Sequence, residues 1–115
     1  MKANLQENLL QEFRRGNIIM AVLAGLQQER YGFELHAIMA SHGMEIEEFT
    51  LYPLLRRLER QGLLESQWRI EGNRPKRFYH LSRKGTGLLK EMLPVWRTIN
   101  SSVEAIYREG SNASA

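Results

Sequence analysis

Nine residues in the middle of the chain form two groups suited to gripping a nucleic acid: Thr50, Tyr52, Pro53, Arg56, Arg57 and Arg60, then Arg74, Lys76 and Arg77. A guanidinium is a planar fork of donors that clasps a phosphate, or pairs with two acceptors on a guanine edge for about 1–3 kcal/mol of base discrimination. At 100° per residue Arg56 and Arg60 share a helix face while Arg57 is turned away, so Arg57 is expected to contact a flank rather than the centre of such a site. The second group surrounds Pro75, which stiffens its surroundings, and suits a tip reaching the minor groove or the neighbouring phosphates. Against this stands the plainer reading that the cations merely solvate a surface.

The segments carrying these side chains explain their placement. Leu51, Leu54, Leu55 and Leu58 recur at i, i+3, i+4 and i+7, the signature of one buried helical stripe, which leaves the arginines mostly on the other side. Thr50 is expected to cap this helix, Pro53 to lie in its first turn, and Gly62 to stop it. Beyond it, LESQWRI and RFYHL are two short strand-like runs separated by the turn-forming EGNRPK, with Arg74, Lys76 and Arg77 at the tip. A helix followed by a hairpin with a basic tip is the arrangement of a winged helix-turn-helix, in which the first turn of the reading helix, here Thr50, Tyr52 and Pro53, points into the major groove.

Composition agrees. The chain of 115 residues has 43% apolar content, enough for one domain with a modest core. Its net charge is only +3, yet Thr50 to Lys90 holds ten Lys/Arg against three acids, Met1 to Phe49 four against seven, and Glu91 to Ala115 two against three. The positive field is thus confined to the reading helix, the hairpin and the start of the last helix. With no cysteine there is neither a disulfide nor thiol chemistry. His36, His42 and His80 lack metal-ligand spacing, and no nucleophile with its base, phosphate-binding glycine loop or carboxylate pair is present, so neither an enzyme nor a cofactor is expected. No membrane span or signal peptide is expected, and the protein is read as cytoplasmic.

TLYPLLRRLERQGLL, followed by Gly-Asn-Arg-Pro-Lys-Arg and FYHLSRKG, resembles the PadR family of bacterial transcriptional regulators, in particular its short group with a single C-terminal helix. RRGNIIMAVLAGL, the YGFEL helix start and a tryptophan in the last helix match in the same order, from about Arg15 to Tyr107. Phe49 departs from the pattern, which often has glycine or another small residue just ahead of the reading helix. The resemblance implies an α+β, mainly α, winged helix-turn-helix with a two-stranded wing. It also implies that Tyr52 contacts a phosphate or a base edge; the alternative is a half-buried ring against the wing.

Outside the reading unit, a helix is expected from about Leu5 to Leu26, with Gly16 marking either a kink or the true start of the regular part. Ile18 to Leu23 is apolar nearly all round and asks for more than one covering surface. Gln27 to Arg30 reads as a polar connection and Tyr31 to Ala40 as the second helix. SHGMEIEEF reads as a short strand or extended turn, in which Glu45, Glu47 and Glu48 favour the adjoining helix N-terminus by about 0.3–1 kcal/mol. Ser82 is expected to cap a final helix whose apolar positions exceed what one small domain covers, which argues for a homodimer. Pro94 is expected to kink or split it. The domain reading is 1–81 for DNA binding, 82–109 for dimerisation, and 110–115 as a disordered tail.

Trp96 lies on that last apolar stripe, and a tryptophan so placed packs in a core or interface. Resemblance to multidrug-binding members of the family implies a second role, in which the two Trp96 rings of a dimer sandwich a small planar aromatic effector. Met92, Val95 and Ile99, with Leu9 and Phe13 of the first helix, would line such a pore; the soft, apolar lining suits varied flat ligands. The expected function is a dimeric, sequence-specific repressor of double-stranded DNA that binds a palindromic operator and is released by such a ligand. Two rivals stand beside it: a winged-helix adaptor whose basic surface meets an acidic protein, and a dimer that binds DNA without sequence choice.

Overall fold

The computed structural model describes residues 2–114, which form α1 (Lys2–Gly25), β1 (Arg30–Tyr31), α2 (Gly32–Ser41), α3 (Glu48–Arg60), β2 (Leu64–Glu71), β3 (Arg74–Leu81) and α4 (Arg83–Ser114). The expected fold class holds: the protein is mainly helical, with a small antiparallel sheet and a long last helix. Leu51, Leu55 and Leu58 of α3 are buried among Val22, Leu23 and Leu26 of α1, Leu35 and Met39 of α2, and Leu64, Tyr79 and Leu89. Leu54 is half-buried against this cluster, so the stripe read from spacing is the stripe the core uses.

Both ends of α3 have physical causes. Its carboxyl end is a Schellman closure: Gly62 has φ +81°, and Leu63 N–H and Gly62 N–H donate to the carbonyls of Leu58 and Glu59. Its start differs from expectation. The helix begins at Glu48 with Glu47 as cap, and the N–H groups of Thr50 and Leu51 both donate to the Glu47 carbonyl at 2.9 Å. The Glu48 carboxylate in the first turn favours the earlier start through the helix dipole. Thr50 is therefore inside the helix rather than its cap, and Pro53 lies beyond the first turn, where it forgoes a bond to the Phe49 carbonyl.

The sheet order is β1-β3-β2, so a third, two-residue strand joins the expected hairpin, with Arg30 opposite Tyr79 and Tyr31 opposite Phe78. β2 and β3 pair from Leu64↔Leu81 to Glu71↔Arg74. Only Gly72 and Asn73 make the turn, both at positive φ (57° and 66°), as a type I′ hairpin requires. Arg74, Pro75, Lys76 and Arg77 consequently belong to a strand and not to a loop tip, because two residues suffice to reverse the chain.

α1 runs unbroken through Gly16. The segment from Gly43 to Glu47 is irregular and tied back by Met44 N–H to the Met39 carbonyl (2.8 Å) and by His36 Nε2 against the Ile46 carbonyl (2.7 Å). Ser82 does cap α4: its hydroxyl accepts from Gly85 N–H at 3.0 Å and donates to the Gly62 carbonyl at 2.6 Å. Gly85 is packed so closely that an added Cβ would lie 2.1 Å from the Leu63 carbonyl oxygen. α4 is one helix of 32 residues with Pro94 inside it, so it is not split there. It continues to Ser114, and residues 110–114, expected as a disordered tail, are helical, since Gly110 does not adopt the positive φ that would end the helix. Ala115 lies outside the described residues.

Candidate nucleic-acid interface

The outward side of α3 has two flanks. Thr50, Pro53, Arg57 and Arg60, at i, i+3, i+7 and i+10, line a concavity of about 1020 Å³ that α1 closes with Gln11, Arg14 and Arg15. Arg56 is exposed but absent from this wall, so the concavity brings Arg57 together with Arg60, whereas spacing had grouped Arg56 with Arg60. The reason is that Arg60 lies between the other two around the helix, and the neighbouring α1 selects the Arg57 side. Glu45, Glu47 and His36 also border the concavity.

Tyr52 and Glu59 mark the opposite flank. The Tyr52 ring packs on the start of α2, where a Cβ on Gly32 would fall 2.8 Å from Tyr52 Cε1, so the ring is half-buried against α2. Burial, and secondarily the Glu48 carboxylate, raise its pKa above the usual tyrosine value, keeping the hydroxyl a neutral donor and acceptor.

Arg77 has a different position from the one expected. Strand alternation turns it to the sheet face that meets α3, where its Nη2 lies 2.6 Å from Glu59 Oε1 and its Nε donates to Ser66 Oγ at 2.9 Å. The Ser66 hydroxyl in turn donates to Glu59 Oε2 at 2.6 Å. This half-buried bracket fixes the hairpin to α3 and takes Arg77 out of the set of free cations. Lys76 faces the other way, its ammonium 4.5 Å above the Tyr31 ring, and Arg74 is exposed beside the Gly72-Asn73 turn. Arg69, on the same sheet face as Lys76, is neutralised by Glu29 and lies 4.7 Å over the Phe78 ring. The hydrogen bond from Arg69 is the main cause of the lowered Glu29 pKa.

Ion pairs among the described residues engage Arg69 and Arg77, leaving Arg56, Arg57, Arg60, Arg74 and Lys76 without a carboxylate partner. Arg14 and Arg15 join them, and sequence reasoning missed both. Their signal was the spacing of Gln11, Arg14, Arg15 and Ile18 on one face of a helix read only for its apolar positions.

A second, apolar groove of about 330 Å³ brings together Met92, Val95, Trp96 and Ile99 of α4 with Gly16 and Met20 of α1. Trp96 Nε1 donates to Asn17 Oδ1 at 2.9 Å, which sets the indole against α1. Leu9 and Phe13, expected in the same lining, do not border the groove within one chain; they are exposed earlier on α1. Among the described residues no group of three potential ligands could hold a metal ion, and no helix is long and apolar enough to cross a membrane.

Comparison with known proteins gives consistent matches. The family described as "Transcriptional regulator PadR-like family" matches residues 19–91. The chain is 34% identical over 83 residues to the transcriptional regulator Rv3488 of Mycobacterium tuberculosis, covering 71% of this chain and 78% of that one. A PadR family transcriptional regulator from Eggerthella lenta superposes with a TM-score of 0.79 at 37% identity, covering 91% of this chain and 94% of the other. Bacillus subtilis PadR, solved in complex with operator DNA, shares the fold at a TM-score of 0.62 and 22% identity, over 66% of this chain and 45% of that one.

Proposed function

This chain belongs to the PadR-like family of transcriptional regulators, and from that premise we propose that it is a homodimeric, sequence-specific repressor of double-stranded DNA. The observation carrying the reading is the outer side of α3, where Arg56, Arg57 and Arg60 stand without ion pairs among the described residues, beside a hairpin presenting Arg74 and Lys76. In this reading the first half of α3, with Thr50, Tyr52 and Pro53, enters the major groove. The arginines divide between phosphates and a guanine edge, and the wing holds the adjacent backbone. The fold shared with a PadR solved on operator DNA supports the same placement.

Dimerisation is supported by apolar surface left uncovered in one chain. Leu5, Leu9 and Phe13 of α1 and Ile99, Val103 and Ile106 of α4 are all more than half exposed. Met92, Trp96, Ile99, Val103 and Ile106 alternate at intervals of four and three, the seam of a helix that packs along another helix. A two-fold dimer presents two α3 helices to a palindromic operator with half-sites one helical turn, or a small multiple, apart.

The Trp96 groove, completed by the partner chain and by Leu9 and Phe13, would take a small planar aromatic effector. Release follows only if the ligand binds one dimer geometry better than the other.

Selection of binding sites from random duplex DNA by the purified protein, with sedimentation to measure assembly, tests the reading. A palindromic consensus bound by two chains is the expected result. A protein that enriches no sequence contradicts it.

A further inference from the structure

Arg14 and Arg15 of α1 belong to neither the wing nor the reading helix, yet they share a concavity with Arg57 and Arg60. Resting on the DNA-binding reading above, we propose that Arg14 and Arg15 bind backbone phosphates on the flank of α3 opposite the wing, making α1 a second clamp on the duplex.

Three observations carry this. The first half of α1 has two opposed faces: Leu5, Leu9 and Phe13 lie on one, while Gln11, Arg14 and Arg15 lie about half a turn away by helical spacing. The cationic face continues directly into Ile18 and Ile19, which pack against the core, so one turn separates an apolar lining from a charged one. A protein partner covering this face would have to desolvate two guanidinium groups, whereas a phosphate satisfies them.

The charge balance points the same way. Four guanidinium groups border the concavity against the carboxylates of Glu45 and Glu47, and no ion pair engages any of the four among the described residues. Four cations against two carboxylates leave the concavity with a positive potential, which a phosphate lowers.

Geometry supplies the third observation. A helix seated in a major groove about 12 Å wide has a phosphate strand on each side. The Glu59 side of α3 is fastened to the hairpin, whose exposed Arg74 and half-buried Lys76 would serve one strand. Thr50, Arg57 and α1 occupy the other side, and there Arg14 and Arg15 are the basic residues that α3 does not itself supply.

The test measures affinity of the full chain for a duplex selected from random DNA, and for an unselected duplex of equal length, across a series of salt concentrations. For the double variant Arg14→Gln, Arg15→Gln we expect the slope of log affinity against log salt to fall by about two, at roughly 0.9 per phosphate contact. Affinity at moderate salt should drop at least tenfold on both duplexes, leaving their ratio unchanged. Should the double variant not fold, Arg14→Gln and Arg15→Gln singly should each lower the slope by about one. An unchanged slope with an affinity within twofold of the parent, or a loss confined to the selected duplex, overturns the phosphate role alone. A parent protein that binds neither duplex overturns the proposed function as well.

Discussion

The Arg77 guanidinium lies 2.6 Å from the Glu59 carboxylate, and Ser66 bonds to both, so one half-buried bracket ties the last turn of α3 to both strands of the hairpin. A cation that the sequence had placed at a hairpin tip is thus tied to the reading helix, joining the two elements proposed to hold DNA.

Replacing Glu59 by Ala leaves Arg77 half-buried without its partner. The expected cost is about 1–2 kcal/mol in denaturant unfolding, at the lower end of a broken buried pair because both side chains keep some solvent. DNA affinity should fall while the salt slope stays fixed. A slope reduced by about one in Arg77→Ala would instead mean that Arg77 itself binds a phosphate.

Gly85 and Gly87 stand two residues apart at the start of α4 and should respond in opposite directions to alanine. At Gly85 the new methyl would press on the Leu63 carbonyl, 2.1 Å away, and the expected loss is about 2–4 kcal/mol. At Gly87 nothing lies within 4 Å, and helix propensity should add about 0.5–1 kcal/mol. Chemical denaturation of both variants checks the contrast; a stable Gly85→Ala protein would contradict the packing at this junction.

Val103→Glu and Ile106→Glu place carboxylates on the proposed seam of α4. Each should weaken self-association at least tenfold in sedimentation, while leaving the far-ultraviolet spectrum of the domain in place, because neither residue belongs to the core of one chain. Unaltered dimers would move the interface elsewhere.

Burial raises the pKa of Tyr79; the Arg77 charge works against this and the Glu59 charge with it, both to a smaller extent. The folded form therefore holds its proton more tightly than the unfolded chain, whose tyrosine titrates near 10. Its contribution to stability is complete below pH 10 and declines as the pH climbs from there through the folded value. Comparing alkaline unfolding of the parent with Tyr79→Phe should give a shallower decline in the variant. Parallel curves would mean that the hydroxyl is not held in its neutral form.

The two tryptophans, Trp68 and Trp96, call for a Trp68→Phe background in any fluorescence titration. In that background a planar aromatic cation or dye stacking in the α4 groove should quench and shift Trp96 emission, and Asn17→Ala should alter the response by freeing the indole N–H. Emission indifferent to every such ligand would leave Trp96 as a packing residue only.

The legibility of this chain depends on the length over which each physical signal repeats. The α3 stripe, the Gly62 stop and the Ser82 cap were readable because each joins a local residue preference to a period. β1 was not, since two residues carry no alternation, and Arg30 and Tyr31 look like a connection until Phe78 and Tyr79 lie beside them. The role of Arg77 turned on whether two or six residues made the hairpin turn, which decides whether Arg77 is held deep in a paired strand, on the same face as Tyr79, or stands at the edge of a loop. Thr50 was a sound cap by type, but Glu47 and Glu48 started the helix sooner. Arg14 and Arg15 gain meaning only from Arg57 and Arg60, residues that the fold brings opposite them.

The junction of Gly62, Leu63, Ser82 and Gly85 fastens the root of α4 to the end of α3 through short bonds and a contact only glycine permits. At 1.5 Å per residue α4 is a shaft of roughly 48 Å, and turning such a shaft by 10° sweeps its tip through about 8 Å. In a dimer held along these shafts, the crossing angle becomes a ruler for the gap between the two reading helices. Operator spacing would then be calibrated by apolar residues that never approach a base, and a change of packing at Val103 would regraduate the ruler without altering a single letter it reads.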